Sequence, residues 1–185
     1  MDDGARMYRR FLNGDTAAIA EIVETYRVGL ELYLLTIVGD AELAEELTQD
    51  TFVNIFIKKP HFTPKASFKT WLYTVGKNNA LKFLKKQKRS VPLSYEDAVL
   101  IPDDARGVEE QYFADETRLH VHEVLNRLHP AYREILWLTY FEGLSNRESA
   151  AIFGKNVHSI ESLVSRARKA LKLKLQEEGF LYEDQ

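Results

Sequence analysis

Ser145–Leu171 reads SNRESAAIFGKNVHSIESLVSRARKAL, and its pattern is that of two helices meeting at a short turn. Ser145 followed three residues on by Glu148 is a capping box, in which each side chain satisfies the other residue's orphan amide and starts a helix. Ala150, Ala151 and Phe153 supply its apolar positions. Gly154 provides a left-handed turn residue and Asn156 can cap the next helix, where Val157, Ile160, Leu163 or Val164, Ala167 and Leu171 recur at helical spacing. The outward face of that second helix carries His158, Ser159, Glu161, Ser162, Ser165, Arg166, Lys169 and Lys172, polar early and cationic later. A helix-turn-helix divides its labour this way, with early residues reaching base edges and later cations holding phosphates. The bland alternative is a charged surface helix pair, common in any helical protein.

The rest of the chain bounds the choice. Its 185 residues suffice for one or two small domains, and five prolines, nine glycines and long apolar periodicity predict an all-α protein with no strand worth naming. With no cysteine, disulfides and thiolate metal sites are excluded, and no apolar run is long enough for a membrane span. Nothing resembling a secretory signal precedes the first helix, so a cytoplasmic setting is expected.

The net charge of −3 looks unsuited to nucleic acid, but the charge is segregated along the chain. Residues 1–50 hold 11 acidic and 4 basic groups; residues 51–95 hold ten basic groups and no acid; residues 96–148 hold 12 acidic against 5 basic. Two basic zones separated by acid predict two nucleic-acid contacts, and the acidic N-terminal face suits a basic protein partner. The acidic flanks also predict poor duplex affinity for the isolated chain.

A helix beginning at Asn13-Gly14-Asp15 is expected to run through Ala18, Ile22 and Tyr26 to Leu30, with a second apolar stretch, Leu32–Val38, ending at Gly39. Asp40 should cap a helix through Phe56 with Leu43, Leu47, Val53 and Phe56 inward and Glu42, Glu45, Glu46, Gln49 and Asp50 outward. After Pro60 and Pro64, a long helix from Phe68 to about Arg89 has one apolar and one basic face. Trp71 and Phe68 fall on the apolar stripe, whereas Phe62, in the loop, is the better candidate to touch a base. This reading divides the chain into helical domains at 1–90 and 111–185 joined by a flexible linker at 91–110, with Trp71 and Trp137 reporting on separate halves.

Two sets of motifs carry a family resemblance. Ala44-Glu45-Glu46-Leu47-Thr48-Gln49-Asp50-Thr51-Phe52, then Phe68-Lys69-Thr70-Trp71-Leu72-Tyr73-Thr74-Val75-Gly76-Lys77-Asn78, resembles region 2 of bacterial extracytoplasmic-function sigma factors. Leu128-His129-Pro130-Ala131-Tyr132-Arg133-Glu134-Ile135-Leu136, Gly143-Leu144-Ser145 and Ser165-Arg166-Ala167-Arg168-Lys169-Ala170-Leu171 resemble region 4. Together, in order, they span most of the chain.

The resemblance implies an initiation factor for core RNA polymerase, contacting the clamp helices of the largest subunit and the flap region, and serving a stress or envelope-response regulon. It implies that Glu46, Gln49, Asp50 and Phe52 meet polymerase. It assigns Phe62, Lys65, Ser67, Lys77, Asn78, Lys82, Lys85, Lys86 and Arg89 to the minus-ten element, whose flipped base must recover a few kcal/mol of unstacking. His158, Ser159, Glu161, Ser162, Ser165, Arg166 and Lys169 would face the minus-35 element. Many family members have basic residues where this chain has Glu161 and Leu163; a carboxylate accepts from cytosine N4 but cannot donate to guanine, which shifts readout toward His158, Ser159 and Ser162. The resemblance further implies a cognate anti-sigma protein, with no cofactor, metal or catalytic residue. His120 and His122 point to different sides of a helix, and no His accompanies the acids at 45–50. A stand-alone helix-turn-helix regulator, and a sigma-like competitor for polymerase, remain the alternatives.

Overall fold

A computed structural model describes residues 2–63, 65–90 and 123–177, with backbone alone at 88–90. Residues 91–110, where the sequence predicts a linker, lie outside the described residues with their acids, as do His120 and His122. The described residues are helical, without strands.

The first domain contains α1 (Asp3–Leu12), α2 (Ala17–Val38), α3 (Ala41–Lys58) and α4 (Phe68–Ser90). Helix α1 precedes the expected first start at Asn13. One residue explains it: Asp2 accepts from Gly4 N at 3.0 Å and Ala5 N at 3.4 Å, while its other oxygen accepts from Phe68 N. A single carboxylate thus caps both α1 and α4. Met7, Tyr8 and Phe11 bury the inner face of α1, and Tyr8 Oη donates to Pro60 O at 2.8 Å, pinning the following loop.

Helix α2 is continuous where two apolar stretches were expected. It is the central element, touching α1, α3, α4 and the second domain. It ends at Gly39 (φ 71°), whose N–H bonds Leu35 O at 2.9 Å. Asp40 then accepts from Leu43 N at 2.7 Å and starts α3, as its position predicts.

Close helix approach makes one glycine indispensable. A Cβ on Gly4 would lie 2.6 Å from Phe68 Cδ1 and 2.9 Å from Phe68 Cβ, in a site where Phe68 is fully buried. Gly4→Ala is therefore expected to cost about 1–3 kcal/mol through overpacking, read as a lower thermal midpoint; an unchanged midpoint would show that α1 can slide on α4.

The second domain comprises a helical turn at 123–126, α5 (Pro130–Leu136), a π-helical turn (Trp137–Phe141), α6 (Asn146–Phe153) and α7 (Val157–Glu177). Pro130 opens α5, where its missing N–H costs nothing, and His129 Nδ1 accepts from Ala131 N at 3.3 Å. The capping box is present: Ser145 N donates to Glu148 Oε2 at 3.0 Å and Glu148 N to Ser145 Oγ at 3.3 Å. Gly154 is left-handed (φ 61°), and Asn156 Oδ1 accepts from Ser159 N at 2.8 Å. Ile160, Leu163, Val164 and Ala167 all face inward against Leu125, Ile135, Leu136 and Ala150.

The halves are not independent in packing. Trp137, Leu138, Leu144 and Ile152 of the second domain belong to the core built on α2 and α4. Trp137 consequently monitors the junction between domains, not the second half alone.

Candidate polymerase and nucleic-acid interfaces

Helix α3 turns Glu42, Glu45, Glu46, Gln49 and Asp50 to solvent, as expected. Its inner register differs from the sequence reading. Val53 is 52% exposed and Ile57 74%, whereas Phe52 is buried and stacks on Phe56. Buried Thr48 and Thr51 occupy inward positions by donating to Ala44 O and Leu47 O, each at 2.7 Å, which lets polar residues sit in the core at little cost. Phe52 therefore supports the outer face from beneath, and Glu46, Asp50, Val53 and Ile57 form a stripe at helical spacing that is acidic first and apolar afterwards.

Helix α4 and its approach loop divide the expected strand-contacting residues into two groups. Lys65, Asn78, Lys82, Lys85 and Lys86 are exposed; the Arg89 side chain lies outside the described residues. Phe62 is half-buried, edge-on to Phe68 and Trp71 at 5.8 and 5.5 Å, so its ring is engaged in packing and not offered to a base. Ser67 and Lys77 face the second domain.

Three glutamates of that domain meet this inner strip. Glu134 Oε1 accepts from Lys77 Nζ at 2.6 Å and Tyr33 Oη at 2.7 Å. Glu142 Oε2 accepts from Lys69 Nζ at 2.7 Å and Tyr73 Oη at 2.8 Å. Glu148 Oε1 accepts from Ser67 Oγ at 3.1 Å. Lys77 Nζ also lies 3.9 Å above the Phe153 ring, and buried Arg133 donates through Nε to Thr36 O at 2.9 Å. Burial, with the neighbouring carboxylates adding to it, pushes the Tyr33 and Tyr73 phenols upward, so both remain protonated donors.

Glu148 joins the capping box to the interdomain contact. Burial alone would raise its carboxyl, but the Ser145 amide and the hydroxyls of Ser145, Ser67 and Thr70 outweigh it and hold the group below the usual carboxylate range. A depressed folded value contributes stability that is complete above the unfolded glutamate value of about 4.3 and is lost as pH falls through the folded value. Melts from neutrality into acid should therefore show a stability loss beginning near the unfolded value that Glu148→Gln reduces; an identical slope in the variant would refute this assignment.

On α7, His158, Glu161, Ser162, Ser165, Arg166 and Lys169 are exposed and Ser159 is half-buried. His158 Nδ1 lies 3.9 Å from Glu161 Oε2, both solvent-facing, an arrangement worth little to stability. Leu163 is buried among Ile160, Val164 and Ala167, so it serves the core of the second domain and is not offered to DNA. Sequence reasoning missed Lys69, Tyr73 and the three glutamates as a cluster, because their partners are far away along the chain. No group of His, Cys, Asp or Glu among the described residues is arranged to hold a metal, and no described helix is long and apolar enough to cross a membrane.

Residues 22–90 match the family model for sigma-70 region 2, and residues 118–171 match that for sigma-70 region 4. The RNA polymerase sigma factor NccH of Alcaligenes xylosoxydans xylosoxydans is 30% identical over 173 residues, covering 91% of this chain and 92% of its own. The chain belongs to the sigma-70 family. The ECF RNA polymerase sigma factor SigM of Bacillus subtilis is 29% identical over 163 residues, covering 83% of this chain and 93% of its own, which places this sigma factor in the extracytoplasmic-function group. Among solved structures, the sigma factor RpoE in complex with the anti-sigma factor NepR from Bartonella quintana is similar at TM-score 0.69 and 25% identity, over 85% of this chain and 96% of that one. This sigma factor, helical and without strands among its described residues, is thus a protein of promoter-directed transcription initiation.

Proposed function

We propose that this sigma factor seats the outer face of α3 on the clamp helices of core polymerase, lays the basic face of α4 along the minus-ten strand and inserts α7 into the major groove of the minus-35 element. The observation that carries the reading is the pairing of two exposed faces of opposite character on one frame. Glu46, Gln49 and Asp50 suit a basic protein surface. Arg166 and Lys169 suit phosphates, with His158, Ser159, Glu161 and Ser162 one to two turns earlier at base depth. Asn78, exposed beside Lys82 and Lys85, offers both donors and an acceptor to an unstacked base. The regulon is a stress or envelope response, the setting is cytoplasmic, and the RpoE–NepR pair supports an anti-sigma partner here.

Run-off transcription with purified core polymerase on a fragmented genomic library tests the reading. New discrete start sites should appear only when the protein is added. Polymerase binding without new starts would favour a sigma-like competitor, and tight duplex binding without polymerase binding would favour a stand-alone regulator.

A further inference from the structure

We propose that the second domain holds the free sigma factor shut by presenting glutamates, in place of phosphates, to the strand-binding face of α4. The inference rests on the reading of that face as the minus-ten contact.

The donors of the inner strip run from Ser67 through Lys69 and Tyr73 to Lys77, roughly 15 Å of chain along one side of α4. Two are ammonium groups and two are hydroxyls, each matched to an oxygen of Glu148, Glu142 or Glu134. This is the donor set that tracks a nucleic-acid backbone, and charge-assisted bonds to carboxylate and phosphate have the same character. Only 12% of the Lys77 side chain and 29% of the Lys69 side chain is exposed, so neither can meet a strand until the second domain moves away. Exchanging a carboxylate for a phosphate replaces one anion by another, which makes the closure reversible. On α4 the closed form leaves only the outer cations to DNA, which adds a structural cause to the poor affinity that the charge pattern predicts for the isolated chain.

Helix α2 is built to admit the contact. A Cβ on Gly29 would lie 2.5 Å from Tyr73 Oη and 3.4 Å from Glu142 Oε2. Gly29→Ala should therefore displace the Tyr73–Glu142 pair without removing any charge from the protein.

The test uses the full chain, which has no native cysteine, carrying donor and acceptor dyes at Arg9→Cys and Lys155→Cys. Both positions are exposed, one on each domain. Glu134→Gln with Glu142→Gln should lower energy transfer and tighten binding of a labelled single-stranded oligonucleotide of random sequence by about tenfold, the factor removed when a mostly closed population opens. Glu24→Gln with Glu177→Gln removes the same charge from exposed sites outside the strip and should change neither readout comparably. Gly29→Ala, checked for folding by circular dichroism, should move both readouts in the direction of the glutamine pair. Unchanged energy transfer in the glutamine pair overturns the closure, and lowered transfer with binding no tighter than the charge-matched control overturns the mimicry. Failure of the unsubstituted protein to initiate with core polymerase would instead refute the sigma reading, because the dye measurement needs no polymerase.

Discussion

Glu46→Lys combined with Asp50→Lys is expected to weaken capture by core polymerase about a hundredfold while leaving the melting temperature unchanged, since like charges brought together at an interface cost several kcal/mol. Both carboxylates are exposed and sit one turn apart on the outer face of α3, where they touch nothing that holds the domain together. Substitution there acts on a partner and not on the fold. The same stripe continues into Val53 and Ile57, so Ile57→Ser should weaken capture by a smaller, salt-insensitive amount, whereas the wild-type association should weaken as salt rises. Titration of labelled protein with core polymerase at two ionic strengths measures both effects. Retained affinity in the doubly reversed variant would remove α3 from the polymerase interface.

Local chemistry made much of this architecture readable in advance. Asp40, Gly39, the Ser145–Glu148 box, Gly154 and Asn156 all do what their positions predict, because caps and left-handed turns are decided within a few residues. The phase of α3 was harder to read. Val53 and Phe52 are adjacent and both apolar, and what places Phe52 inward is a pair of threonines bonded to their own helix, which periodicity alone counts as polar. Helix α1 escaped notice for a related reason: its cap, Asp2, stands in a charged terminus and gains its second role from Phe68, 66 residues away. The interdomain strip is the extreme case. Tyr33 and Glu134 are 101 residues apart, and before the chain folds each resembles any other phenol or acid. Exposed polar faces were legible because charged side chains stay in water unless paired; the buried polar contacts were not, since only the fold supplies their partners.

Trp137→Ala should cost about 3–5 kcal/mol, the range for truncating a large buried aromatic, and should also change the form of the unfolding transition. The indole is 2% exposed, stacks on Phe141 at 4.3 Å and donates to Glu142 Oε1 at 3.2 Å. It stands at the head of the π-helical turn through which the second domain enters the core of the first. Removing it deletes apolar contact across the junction and takes one donor from the glutamate that holds Lys69 and Tyr73. The loss should therefore fall on the coupling between domains more than on either domain's own helices. The wild-type chain is expected to unfold in one step and the variant in two, because each half keeps an apolar cluster while the surface shared between them is depleted. Trp71, the one remaining indole, lies in the first domain and would follow that domain by fluorescence while circular dichroism follows all helices. Non-coincident curves are the expected result. A single coincident transition near the wild-type midpoint would mean that the indole does not couple the halves and that other contacts across the junction, among them Leu138 and Ile152 in the shared core and Arg133 on Thr36 O, suffice to hold them together.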